Sequence, residues 1–263
     1  MSETILYVLS GTGVTFAATT LGASLVFFFK EEVSPSVQRI FLGFAAGIMI
    51  AASFFSLLLP SLDMAEEQGL PPFLPACGGF LLGVLFLLLL DYILPHLHAG
   101  SEETEGLPSN LKRTTMLFLA VTLHNIPEGM AVGVALGIAS LRHDPGLLSS
   151  AIVLTVGMAL QNFPEGAAIS LPLKEEGFSN KKAFFYGALS GLVEPIAGVL
   201  TVLFIAGTVA VLPWTLSFAA GAMLYVVVEE LIPQAHLGEH SNTGTLSVMG
   251  GFLIMMLLDT IFS

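Results

Sequence analysis

Cysteine occurs once, at Cys77, so no internal disulfide can form and a cysteine-based zinc knuckle is excluded. Charge is scarce as well. Asp, Glu, Lys and Arg make up 11% of the residues, against about 25% in ordinary soluble domains. Only 8 residues are Lys or Arg, and the formal net charge of −12 argues against nucleic acid or an anionic membrane surface as a partner. A glycine-rich phosphate loop is missing, which removes the usual means of coupling to ATP. The first apolar segment has no basic region before it and runs to about Phe29. That is too long for the apolar core of a signal peptide, so it is expected to remain as a helix of the mature protein.

What is present is hydrophobic length. The chain is 54% apolar with a mean hydropathy of +0.87. Apolar runs of about 18 or more residues recur, each able to cross a hydrocarbon core roughly 30 Å thick. Eight helices are expected, at roughly 5–29, 37–61, 73–96, 114–140, 147–172, 181–207, 212–233 and 245–262. The expected fold class is therefore all-α, a polytopic membrane protein in which residues 1–263 form a single transmembrane domain. The longest link, about 99–115, carries Glu102, Glu103 and Glu105 beside Gly106 and Pro108 and reads as a short loop.

The basic residues orient these spans. Lys30 and Arg39 flank the first link, Lys112 and Arg113 the third, and Lys174, Lys181 and Lys182 the fifth; only Arg142 falls in an even-numbered link. Positive charge marks the cytoplasmic side, so the odd links, including 99–115, are expected in the cytoplasm and both termini outside. An integral, multi-pass protein of the plasma (inner) membrane is expected.

Two stretches inside the apolar runs look alike: His124-Asn125-Ile126-Pro127-Glu128-Gly129 and Gln161-Asn162-Phe163-Pro164-Glu165-Gly166. In each, the first residue and the glutamate are four apart and share one helix face. The proline between them frees a carbonyl and kinks the helix, which membrane helices tolerate where they line a polar cavity. The motif sits on oppositely directed helices four and five, an inverted pair of the kind that places a transport site near the midplane.

Glu128, Glu165 and Glu194 lie deep in helices four, five and six. At about 2.5–3.5 kcal/mol per central charge, three unpaired carboxylates cost roughly 8–10 kcal/mol, which rivals a domain's whole stability of about 5–15 kcal/mol. They must be protonated, face water or share a cation, and no Lys or Arg lies at their depth. A neutral acid bonded to a helix neighbour would explain one of them, but not three together with His124 and two amides. Imidazole, carboxylate and amide oxygens suit Zn²⁺, Fe²⁺ or Mn²⁺, whereas a set without thiolate is poor for Cu(I) and calcium wants oxygens alone. Asn125 and Asn162 point about 100° around their helices from His124 and Gln161. They either serve a second, adjacent ion or hold the glutamates by hydrogen bonds.

At these residues the sequence resembles the ZIP (Zrt/Irt-like) family of divalent-metal transporters, and the Gln161 version resembles its GufA-type branch. "HNIPEGMAVG" and "QNFPEGAAISLPL" carry the likeness, supported by "GFAAGIMIAASFFSLLLPSLD", "GLVEPIAG" and "EELIPQAH". The resemblance implies an eight-helix fold with outside termini and a binuclear site. One ion would be held by His124, Glu128, Gln161 and Glu165, with Met49 either close by or simply core packing. The second would use Asn125, Glu128, Asn162, Glu165 and Glu194. Many members carry histidine in place of Gln161 and some carry aspartate in place of Asn162, and a neutral amide binds metal more weakly. The resemblance also implies an entrance at Ser56 and Asp63 and an exit relay of Asp91, His96, His98, Glu229, Glu230, His236 and His240.

The function expected is transport of divalent metal cations into the cytoplasm: zinc first, with iron, manganese and cadmium as alternatives. Helices one, four, five and six would move against two, three, seven and eight. Metal ions and the lipid bilayer are the expected partners, with a homodimer as a candidate assembly, and no catalytic cofactor is expected. The alternative from another class is an intramembrane zinc metallohydrolase using His124 and Glu128. Such enzymes show His-Glu-x-x-His, a pattern missing from this chain, so no enzymatic activity is expected.

Overall fold

The computed structural model describes residues 2–28, 34–97, 106–108, 113–205, 208–235 and 242–262. Among them there is no strand, and eight helices are long and apolar enough to cross a membrane. They are α1 (Ser2–Phe27), α2 (Ser36–Glu67), α3 (Phe73–Ile93), α4 (Phe118–Arg142), α5 (Pro145–Lys174), α6 (Asn180–Ile205), α7 (Val209–Ala235) and α8 (Asn242–Phe262).

Local chemistry sets the ends. Ser34 caps α2 by accepting from the Val37 amide, with Pro35 in the first turn. Asp144 caps α5 by accepting from Gly146 and Leu147 at 2.8 and 3.2 Å. α2 runs about six residues past its expected end, because hydropathy marks only its apolar part. A polar turn then continues to Gly69, whose left-handed φ of 70° closes the helix with Leu70 N–H on the Ala65 carbonyl. α3 stops at Ile93 because Leu94 precedes Pro95 and is driven into extended backbone, φ −87° and ψ 125°. His96 therefore lies past the helix, not within it.

The prolines act less uniformly than expected. α4 and α5 continue as helix on both sides of Pro127 and Pro164. α2 and α7 instead widen just before Pro60 and Pro233: Leu59 N–H reaches the Phe54 carbonyl and Ile232 N–H the Val227 carbonyl, five residues back. α6 breaks at Gly191–Leu192 and restarts with Glu194 in the first turn of its second half, where the helix dipole favours a carboxylate.

Packing divides the helices into two bundles. α1, α4, α5 and α6 pack on one another; α2 packs on α8 and α7, and α3 on α7; the seam runs along α2–α5 and α4–α7. Exchanging α1, α2 and α3 with α6, α7 and α8, and α4 with α5, maps these pairs onto each other. The exchanged helices run in opposite directions, so the architecture is an inverted repeat. Both widened turns obey the same exchange.

Candidate metal centre

Glu128 lies about 15 Å along α4 from Phe118, and Glu165 about 14 Å along α5 from Lys174, at 1.5 Å per residue. Both therefore stand near the middle of a core about 30 Å thick. His124, Asn125, Glu128, Gln161, Asn162, Glu165 and Glu194 are all buried. Glu128, Glu165 and Glu194 are close enough to act on one another electrostatically, Gln161 is beside Glu128, and Glu230 acts on Glu165 as well. The structure thus brings together the acids of three helices of one bundle.

The hydrogen bonds are unevenly shared. Asn162 Nδ2 donates to Glu194 Oε1 at 2.8 Å, Thr19 Oγ1 approaches the same oxygen at 3.3 Å, and Gln161 donates to Asn162. Among the described residues, Asn125 Oδ1, both Glu128 oxygens, Gln161 Oε1, Glu165 Oε2 and Glu194 Oε2 have no hydrogen-bond partner. At about 1–3 kcal/mol for each buried unsatisfied group, six such oxygens cost on the order of 10 kcal/mol. A doubly charged cation takes oxygens of this kind as ligands.

His124 is turned elsewhere. Its Nδ1 lies 2.9 Å from Glu230 Oε2, so an α4 imidazole pairs with an α7 carboxylate across the seam between the bundles. Accordingly, among the described residues no three His, Cys, Asp or Glu side chains are gathered in metal-holding geometry. The expected quartet of His124, Glu128, Gln161 and Glu165 is not closed around one point. Glu230, expected in the exit, stands at the site.

A cavity of about 50 Å³ reaches these groups, lined by Leu42, Leu97, Ala120, Val121, His124, Glu165, Ala168, Ile169, Pro172, Leu173, Glu230, Leu231 and Gln234. One water needs roughly 10–15 Å³, so several fit. All these residues lie on the side of Glu128 and Glu165 toward the odd-numbered links, the end that carries most of the Lys and Arg. Toward the other end, the space beside Ser56, Pro60 and Met64 is only about 20 Å³.

The ZIP Zinc transporter family model matches residues 5–259. The chain belongs to the ZIP family. Similar relatives include Zinc transporter GufA of Myxococcus xanthus, 40% identical over 92% of this chain and 93% of the relative. Zinc transporter ZIPB of Bordetella bronchiseptica is 39% identical over 97% of this chain and 81% of the relative. Zinc transporter ZIP11 of Homo sapiens is 36% identical over 98% and 97%. This ZIP protein is an integral, multi-pass transporter of divalent metal cations.

The outlying residues of the ZIP chain separate into groups. Ser56 is buried and donates to Asp259 Oδ1 at 2.9 Å, while Asp63 is exposed at the rim. Asp91 accepts from Tyr225 at 2.5 Å and lies 3.7 Å from His96 Nε2, whose Nδ1 meets the Leu94 carbonyl. Glu229 is exposed, unlike its buried neighbour Glu230. Met49 is fully buried in the main apolar cluster. His98, His236 and His240 lie outside the described residues.

Sequence reasoning missed Asp259 and the buried threonines of α1. Asp259 was visible as an acid in an apolar run. The signal for the others was a stripe at helical spacing: Thr4, Val8, Thr12, Thr15, Thr19 and Ala23 are buried.

Proposed function

We propose that this transporter carries zinc from the outside into the cytoplasm, without ATP, through a midplane site on α4, α5 and α6. The observation that carries this reading is the set of unpartnered buried oxygens on Asn125, Glu128, Gln161, Glu165 and Glu194. One ion is taken by His124, Glu128, Gln161 and Glu165, and a second by Asn125, Glu128, Asn162, Glu165 and Glu194, so that Glu128 and Glu165 bridge.

The bundle of α1, α4, α5 and α6 carries the site and shifts against α2, α3, α7 and α8. His124 and Glu230 span the seam, so a cation that takes the imidazole frees the pair and lets the bundles part. Ser56, Asp63 and Asp259 serve the entrance; Asp91, His96 and Glu230 serve the exit, which faces the basic, cytoplasmic end. Both termini are then outside, in a plasma (inner) membrane.

Purified protein in sealed vesicles, with an internal zinc-sensitive dye, is expected to accumulate zinc down its gradient without ATP. Iron, manganese and cadmium are expected to compete, and calcium is not. Binding without accumulation would overturn the carrier reading. Access is tested in a Cys77→Ser background with Ala168→Cys, a cavity-lining position one turn from Glu165. A membrane-impermeant maleimide is expected to label residue 168 only from the basic end, and zinc is expected to protect it. Labelling only from the opposite end would reverse the direction proposed for the open cavity.

A further inference from the structure

α1 contributes no ligand to the proposed ion sites, yet Thr15 and Thr19 of its buried threonine stripe lie beside Asn162 and Glu194. Thr12 and Thr15 direct their hydroxyls to carbonyls of their own helix, Val8 O at 2.7 Å and Thr12 O at 3.0 Å. Thr19 differs. Its hydroxyl has two acceptors at nearly equal range, Thr15 O at 3.2 Å and Glu194 Oε1 at 3.3 Å. The Asn162 amide addresses the same two oxygens, at 3.4 and 2.8 Å. Oε1 of Glu194 is thereby occupied by donors from α1 and α5, while Oε2 has no partner.

Thr19 is itself fixed from both sides. A Cβ on Gly166 would stand 2.0 Å from the Thr19 carbonyl oxygen, and one on Gly191 would stand 3.0 Å from Thr19 Cβ. The matching contact in the other repeat is Gly129 of α4, where a Cβ would stand 2.4 Å from the Glu194 carbonyl oxygen. Exchange of α1 with α6 and α5 with α4 therefore puts Thr19 in the place of Glu194. One repeat supplies the acid and the other supplies a hydroxyl that holds it.

We propose that Thr19 is a positioning residue for metal transport: its hydroxyl holds Glu194 Oε1 so that Oε2 addresses the cation. When the ion leaves and Glu194 turns away, the Thr15 carbonyl takes over the hydroxyl, so release leaves no buried donor unsatisfied. Because α1, α5 and α6 belong to one bundle, the bracket moves with the site. The inference rests on the reading that Glu194 binds the cargo.

The test is radioactive zinc uptake, normalised to protein in the membrane, for Thr19→Val, Thr19→Ser, Glu194→Gln and Thr19→Val combined with Glu194→Gln. Thr19→Val keeps the shape and loses the donor. The KM for zinc is expected to rise about five- to tenfold, since one hydrogen bond to a charged group is lost while Asn162 remains. Thr19→Ser is expected to restore KM to within about twofold, and Thr19→Val is expected to add nothing once Glu194 is Gln. A natural KM in Thr19→Val would overturn the positioning role, and with Thr19→Ser impaired it would assign the effect to methyl packing on Gly191; equal impairment of Thr19→Ser and Thr19→Val would also overturn it, because Ser keeps the donor. Natural transport by Glu194→Gln would instead remove the cargo-binding role of Glu194 itself.

Discussion

Glu128→Gln is expected to abolish zinc uptake while leaving the zinc-free protein at least as stable as the natural one. The substitution keeps the volume of a fully buried side chain and removes an ionisable carboxyl that acts on Glu165 and Glu194. Repulsion between carboxylates is strong where water is excluded, so its relief favours the variant's fold. In the proposed site, a cation would lose the carboxylate oxygen that bridges the two positions. In the natural protein, zinc at about a hundred times its Kd adds roughly 2.7 kcal/mol of stability, and this increment is expected to vanish in Glu128→Gln. Uptake by cells and thermal melting with and without zinc measure both halves. Natural uptake in the variant would refute the bridging role. Lost uptake with a lowered zinc-free melting temperature would assign Glu128 a structural role instead. Glu128→Ala is expected to abolish uptake as well, with an additional loss of stability from the cavity it leaves.

The spans and the acids were legible because each carries a large one-body signal. A run such as Phe73–Ile93 is long and apolar enough to identify itself, and Glu128, Glu165 and Glu194 conflict with their surroundings whatever their neighbours are. What depended on pairs was hidden. Hydropathy has no way to reveal that α2 continues through a polar turn to Gly69, because that stop is made by backbone hydrogen bonds. Nor does it show that α6 breaks at Gly191–Leu192, or that α2 and α7 widen before Pro60 and Pro233 while α4 and α5 stay helical across theirs. The pairing of His124 with Glu230 joins α4 to α7, and that of Thr19 with Glu194 joins α1 to α6. Their members are far apart in sequence, and each residue alone has an ordinary explanation. The repeated Pro-Glu-Gly was visible, but its glycine gains meaning only from the helix that presses on it.

Gly166→Ala is expected to reduce zinc transport by about a hundredfold or more, and Gly166→Val to prevent assembly of the folded bundle. A Cβ at residue 166 would stand 2.0 Å from the Thr19 carbonyl oxygen, 2.8 Å from its carbon and 2.9 Å from the Ala23 nitrogen. All three are backbone atoms, so no side-chain rotation relieves the clash. Carbon contacts are optimal at about 3.5–4.0 Å, so α1 and α5 must separate by more than about 1 Å. That separation acts on the metal centre directly: Glu165 is the preceding residue, and Thr19 donates to Glu194. In catalysis a displacement of about 1 Å costs on the order of a hundredfold in rate, and the proposed metal site is expected to be no more tolerant. Gly129→Ala, which would meet the Glu194 backbone at 2.4 Å, is expected to fail in the same way from the other repeat. Gly13 on α1 has nothing within 4 Å of an added Cβ. Gly13→Ala is therefore expected to transport normally and to gain about 0.5–1 kcal/mol from helix propensity. Uptake per folded molecule, with monodispersity in detergent as the measure of folding, compares the three positions. Natural uptake in Gly166→Ala would mean that α1 yields without moving the acids, and the glycine would then serve only to pack the helices.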